Sequence, residues 1–267
     1  MGATTCAAVL SAPDLELVAA VDPGRAGQAL AGVLASAGAS VPAGVAVPEL
    51  RIESDASALA DAGAEVAVDF TVAAAARENL RWCAGHGVHA VVGTTGLGDS
   101  DLALFATLFA AGGPTHAVVA ANFSIGAALM MRCAELCAPL FDGVEIIELH
   151  HEHKRDAPSG TSLATARRLE AARSAAGSGP LSADPTELEV IAGTRGGVTA
   201  GGVHVHSVRL PGYVAHQQVI FGSPGETLTL RHDSTDRVSF MPGVLLAIRK
   251  VGALDGLTVG LDSLLDG

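Results

Sequence analysis

Apolar residues recur along the first part of the chain in short runs, each followed by small or polar residues. "LELVAAVD" (15–22) ends in an acid, and "AEVAVDFT" (64–71) leads into the helical stretch "AAAARENLRWCAGHG". "VHAVVGTTG" (88–96) ends in small residues, and "HAVVAANFS" (116–124) again leads into a helix. Continuous apolar strands separated by helices predict a parallel sheet covered on both faces. Ligands of such open sheets bind at the carboxyl ends of the strands. The residues placed there are Asp22, Asp69-Phe70-Thr71, Gly93-Thr94-Thr95 and Asn122-Phe123. The segment 24–48, rich in Gly, Ala and Pro, reads as a loop with at most a short helix.

The pattern changes after residue 124. A helix over 125–140 leads to the strand "VEIIELH" (144–150), and residues 172–186 read as a Ser/Gly/Pro-rich surface loop. The runs "GGVHVHSVRL", "HQQVIFG" and "ETLTLRHD" alternate polar and apolar residues between Gly-Pro punctuation. They predict a mostly antiparallel sheet. The last apolar helix, in "PGVLLAIRKVGAL", returns to the first domain. The expected fold class is α/β, with a parallel-sheet domain over 1–121 and 238–267. Residues 122–237 are expected to form an α+β domain with a mixed, mostly antiparallel sheet.

Composition narrows the function classes. The chain has 267 residues, 49% hydrophobic and 16% charged, and suits a globular enzyme rather than a disordered chain. No apolar run approaches the ~20 residues that span a bilayer. A net charge of −12 argues against a nucleic-acid partner. Cys6, Cys83, Cys133 and Cys137 show no CxxC spacing, which fits free thiols in a reduced cytoplasm.

The densest chemistry lies in "ELHHEHKRDAPSGTSLATARRLE" (148–170). Pro158 suits a helix entrance, and Ser159 or Thr161 suits its cap. Gly160 lets a ligand approach the backbone. The amides of Ser159–Thr161 then form an anion site, with Lys154 as a mobile cation and His151 as a further donor. His150 ends a strand; it and Lys154 are candidates for giving a proton to a negatively charged ligand. A rival reading places zinc on His150, His151 and His153 with His204 and His206, which share a strand face. A cationic Lys154 and Arg155 beside the imidazoles oppose a divalent ion, so no metal site is expected.

The segment "ELHHEHKRDAPSGT" resembles the signature of the 4-hydroxy-tetrahydrodipicolinate reductase (dihydrodipicolinate reductase) family. "VAVDFT", "VVGTTG" and "AANFSIG" resemble its nucleotide-domain motifs in the same order, and "HSVRLPGYVAHQQVIFGSPGETLTLRHDSTDRVSF" resembles its sheet segment. The resemblance runs from about residue 15 to the end. It implies that residues 1–121 and 238–267 form a Rossmann-like dinucleotide-binding domain lacking its first strand, and that 122–237 serve substrate binding and oligomerisation. It implies reduction of a small dicarboxylate by NADH or NADPH in the diaminopimelate route to lysine, by a cytoplasmic homotetramer. It implies that His150 and Lys154 are catalytic, and that His151, Ser159, Gly160 and Thr161 bind substrate. It further implies that Asp22 meets the adenosine ribose, and that Gly93, Thr94, Thr95, Ala120, Ala121, Asn122 and Phe123 line the nicotinamide half of the cofactor. Asp22 favours a free ribose 2′-hydroxyl, and nearby Arg25 softens that preference, so NADH is expected with dual use. A metal-dependent hydrolase and a non-catalytic dinucleotide sensor are the alternatives.

The opening "MGATTCAAVLSAPD" departs from the family, in which a strand and a glycine-rich loop precede this helix. The expectation is an artificial start, with roughly a dozen residues upstream. The second reading is a genuine chain that lacks the loop. Either way, the neighbours of the absent strand keep unpaired edges, so low solubility and weak NAD(P)H binding are expected. A dissociation constant in the family's usual range would count against this.

Overall fold

The computed structural model describes residues 1–266. The chain divides into two compact units, one of Met1–Phe123 with Phe240–Gly267 and the other of Ser124–Ser239.

The first unit contains α1 (Gly2–Leu10), α2 (Leu30–Ser36), α3 (Ser57–Asp61), β1 (Val66–Asp69), α4 (Ala73–His86), β2 (His89–Val92), α5 (Asp99–Leu108) and β3 (Ala117–Val119). The chain returns to it with α8 (Met241–Val251), β9 (Leu257–Val259) and α9 (Asp262–Leu265). Its sheet has the order β1-β2-β3-β9, all parallel. Ala90, Val92, Ala117 and Val119 are buried beneath Leu80 of α4 and Phe105 of α5, as expected of strands covered by helices.

The run 15–22 departs from expectation. It forms no strand among the described residues and makes only one parallel bridge, Val21 to Glu53. A strand requires a neighbour to accept its ladder. Leu17 and Ala20 instead pack on a separate cluster with Leu30, Leu34 and Ile52. Among the described residues β1 pairs with β2 alone and forms the sheet's edge.

The second unit contains α6 (Ile125–Cys137), β4 (Gly143–His150), α7 (Gly160–Ala175), β5 (Gly197–Val198), β6 (His204–Arg209), β7 (Ala215–Ser223) and β8 (Glu226–Ser234). The sheet order is β5-β6-β4-β7-β8. The β5–β6, β4–β7 and β7–β8 pairs are antiparallel, whereas β4 and β6 run parallel. The sheet is therefore mixed and mostly antiparallel.

Val144 and Ile146 of β4 pack with Leu169 of α7, Met130 of α6 and Phe221 of β7. Leu169 has no exposed surface. Leu169→Ala is expected to cost about 2–5 kcal/mol through lost burial and a residual cavity. Urea unfolding checks this, and a loss below ~1 kcal/mol would show that the site collapses around the smaller side chain. No helix of the described residues is long and apolar enough to cross a membrane.

Candidate active site

In the second unit, strand periodicity puts Val144, Ile146, Glu148 and His150 on one face of β4. The first two feed the core, and Glu148, fully buried, continues the same row. A buried carboxylate must be well supplied with donors. Its Oε1 accepts from Arg209 Nη2 at 2.8 Å and from the Ser159 amide at 3.2 Å. Its Oε2 accepts from Arg209 Nη1 at 2.8 Å and from His150 Nδ1 at 2.5 Å. Burial pushes the Glu148 carboxyl up, but hydrogen bonds from His150, Arg209 and Ser207 outweigh it and hold the group at about 2.

Arg209 reaches Glu148 because β6 runs parallel to β4, with Arg209 opposite His150 in the register. Its guanidinium also donates to the carbonyls of Lys154 (3.3 Å) and Asp156 (2.7 Å). The loop after β4 is thus clipped by its backbone. Lys154 Nζ lies 2.9 and 2.8 Å from the two Asp156 oxygens. The Lys154 ammonium holds the Asp156 carboxyl below its ordinary range. His151 is half-buried with its ring 6.2 Å from that of His153.

Helix α7 begins at Gly160, and Ser159 rather than Thr161 is its cap, accepting from the Ser162 amide. Ser162 Oγ donates to Gln217 at 2.8 Å, and Gln217 Nε2 donates to Thr165 at 2.9 Å, which fixes the helix start against β7. A Cβ built on Gly160 would meet nothing within 4 Å, so the backbone there is open to a ligand. The first-turn amides and the helix dipole favour an anion.

His204 and His206 go elsewhere. Their rings lie 6.5 Å apart, but His206 Nε2 bonds Glu145 at 2.7 Å and His204 Nδ1 meets the Arg195 carbonyl at 2.8 Å. Each imidazole is engaged by its own partner, and they do not join His150 in one cluster.

In the first unit, the strand-end residues fall into two groups. Asp69, at the end of β1, is buried. Its Oδ1 accepts from the Thr71 amide (2.9 Å), the Thr71 hydroxyl (2.8 Å) and the Thr94 hydroxyl (2.6 Å). Its Oδ2 accepts from Asn79 at 2.6 Å. The Thr94 side chain is therefore committed to the scaffold, as are those of the buried Ala120 and Phe123. Phe70 packs edge-on against Phe123 at 5.9 Å, and its ring fills the space where a Cβ on Gly93 would stand. Thr95 and Ala121 are exposed and Asn122 is half-buried. A ligand at these strand ends meets backbone at Gly93-Thr94 and Ala120 and side chains at Thr95 and Asn122.

Asp22 caps a short 3₁₀ turn at Pro23–Arg25, accepting from the Gly24 amide at 2.9 Å. Arg25 lies 3.9 Å from its carboxylate.

Sequence reasoning missed Glu148, Arg209 and the partnership of Lys154 with Asp156. One signal was present: an acid on the inward face of an apolar strand, two residues before a histidine. Arg209 carried none, since its place depends on the β4–β6 register.

Comparison with known proteins identifies the family. The family model "Dihydrodipicolinate reductase, N-terminus" matches residues 1–123, and "Dihydrodipicolinate reductase, C-terminus" matches residues 126–265. The chain is 47% identical over 266 residues to the 4-hydroxy-tetrahydrodipicolinate reductase of Nocardia farcinica, covering 100% of this chain and 94% of that protein. It is 47% identical over 265 residues to that of Cutibacterium acnes, covering 99% of this chain and 94% of the relative. A dipicolinate-bound dihydrodipicolinate reductase from Paenisporosarcina sp. TG-14 superposes with a TM-score of 0.79 at 37% identity, covering 98% of this chain and 94% of that one. An amine dehydrogenase from Mycobacterium smegmatis shares the fold, with a TM-score of 0.58 at 18% identity. These matches favour the reductase over the hydrolase and sensor alternatives. The chain therefore belongs to the dihydrodipicolinate reductase family, oxidoreductases that reduce 4-hydroxy-tetrahydrodipicolinate with a nicotinamide dinucleotide in diaminopimelate and lysine biosynthesis.

Proposed function

We propose that the second unit holds the dicarboxylate at the start of α7 and that His150 exchanges a proton with it during reduction. The observation that carries this reading is the buried Glu148 carboxylate, which binds both His150 Nδ1 and the Ser159 amide. It puts a proton-exchanging ring and an anion-binding helix start on one anchor. Ser159, Gly160 and Thr161 present the helix start to one substrate carboxylate, and His151 adds a donor. Lys154 exchanges Asp156 for a substrate carboxylate and supplies a second proton donor.

The residues of the first unit fit a dinucleotide. Asp22 offers a carboxylate to a ribose diol, and the Gly93–Thr95 and Ala120–Asn122 segments stand at the carboxyl ends of parallel strands. The bound cofactor supplies the hydride. Asp22 repels a 2′-phosphate and Arg25 attracts one, which supports NADH as the better cofactor with NADPH also used. By resemblance to its family, the protein works as a cytoplasmic homotetramer.

The test is NAD(P)H oxidation by the purified chain with freshly made cyclic substrate. Turnover faster with NADH supports the whole reading. Folded protein that is saturated with either cofactor and still shows no turnover would overturn it.

Gly160 provides a narrower test. Gly160→Ala is expected to raise the substrate KM about tenfold, because a methyl occupies the open ligand side. The melting temperature should not fall, since alanine is the better helix former. An unchanged KM would place the carboxylate elsewhere.

A further inference from the structure

We infer that Glu148 is a positioning residue for the reduction: paired with Arg209, it holds His150 in one tautomer and one orientation and holds the helix start to the same carboxylate. The inference rests on the reading of His150 as the proton-exchanging group.

An ionised carboxylate only accepts hydrogen bonds. With Oε2 of Glu148 at 2.5 Å, His150 Nδ1 must carry a hydrogen, and Nε2 is left to trade a proton with a ligand. Arg209 grips both Glu148 oxygens at 2.8 Å, so the carboxylate has no freedom to turn. The same guanidinium donates to the carbonyls of Lys154 and Asp156, and the same carboxylate accepts from the Ser159 amide. Strand end, loop and helix start are thereby referred to one ion pair.

Stability alone does not account for this pair. Val144 and Ile146 precede Glu148 on the inward face, and an aliphatic residue would continue their row. Well-packed hydrophobic replacements of buried ion pairs are often neutral or stabilising. A fully buried carboxylate paired with Arg209 beside His150, at the end of β4, is a costly way to fill that space and an effective way to aim an imidazole.

The test uses Glu148→Gln and the double variant Glu148→Leu with Arg209→Leu. Glutamine has one acceptor oxygen where the carboxylate has two, and Arg209 donates on both sides. Facing Nδ1 with its amide N–H, it requires an acceptor there and moves the proton to Nε2. Nitrogen-15 spectra of histidine-labelled protein, assigned by loss of a signal in His150→Ala, should show the Nδ1–H form in the unchanged chain. They should show loss of that preference in Glu148→Gln. With the cyclic substrate, kcat should fall at least ~100-fold while KM changes little, as expected when a wrong tautomer is imposed on a catalytic histidine.

The double variant removes the pair without stranding either charge. It should melt no lower than the unchanged chain and still show the loss in kcat. A His150 that stays Nδ1–H in Glu148→Gln, or a double variant with undiminished kcat, overturns the inference. Full activity in His150→Ala would instead overturn the reading of His150, and the spectra would still report whether Glu148 sets the tautomer.

Discussion

His150→Ala is expected to lower kcat by roughly 10²–10⁴-fold, the usual contribution of a positioned general acid or base. The substrate KM should change far less, because the helix start at Ser159–Gly160 and the Lys154 ammonium remain in place. Such a split marks an interaction made mainly in the transition state. Stability should hold, since Glu148 keeps both bonds to Arg209 and its bond to the Ser159 amide. Steady-state kinetics with the freshly prepared cyclic substrate, beside a melting curve, check the result. A kcat within tenfold of the unchanged chain would move the proton transfer to Lys154 or to water.

The largest stability effect is expected at Arg209. Arg209→Ala leaves Glu148 in a fully buried position without its guanidinium, held only by donors such as His150 Nδ1 and the Ser159 amide, and breaking a buried pair in this way costs about 3–5 kcal/mol. The penalty has a pH signature. In the unchanged chain the Glu148 carboxyl lies at about 2 against 4.5 for an ordinary glutamate. A depressed carboxyl contributes stability that is complete above about 4.5 and lost as pH falls toward about 2. Without Arg209, burial raises the carboxyl, so the variant takes up a proton on folding and recovers stability as pH falls. The gap between the two proteins should therefore be widest near neutrality and narrow by at least ~1 kcal/mol at pH ~4. Urea unfolding at both pH values decides it, and an equal penalty at both would mean that Glu148 is already protonated in the folded chain.

Much of this site was legible in local sequence because its parts are local. "VEIIELH" announces a strand, and Pro-Ser-Gly before good helix formers announces a capped start; both stand where expected. Ser159 and Thr161 were equal candidates for the cap, since only backbone geometry distinguishes them. Arg209 lies far along the chain from His150, and no short-range pattern links them. The parallel pairing of β4 and β6 does so, inside a sheet whose alternation predicted mostly antiparallel neighbours.

The run 15–22 shows the opposite failure. Its apolar content satisfies every strand criterion, yet strand formation depends on a partner that local composition does not describe. β9 was overlooked because three residues between glycines carry too little periodicity to register. Thr94 stands at a strand end as expected, and the bond of its hydroxyl to Asp69, across 25 positions, is one that no local pattern shows.

Little of the fold leans on Asp22. Its side chain is 52% exposed, and it caps a single 3₁₀ turn. On the proposed reading of Asp22 as the ribose ligand, a substitution made there to alter cofactor choice disturbs no core, whereas a change at Glu148 or Asp69 disturbs several elements at once. Cofactor choice then lies within reach of single surface substitutions, apart from the residues proposed to hold the acid.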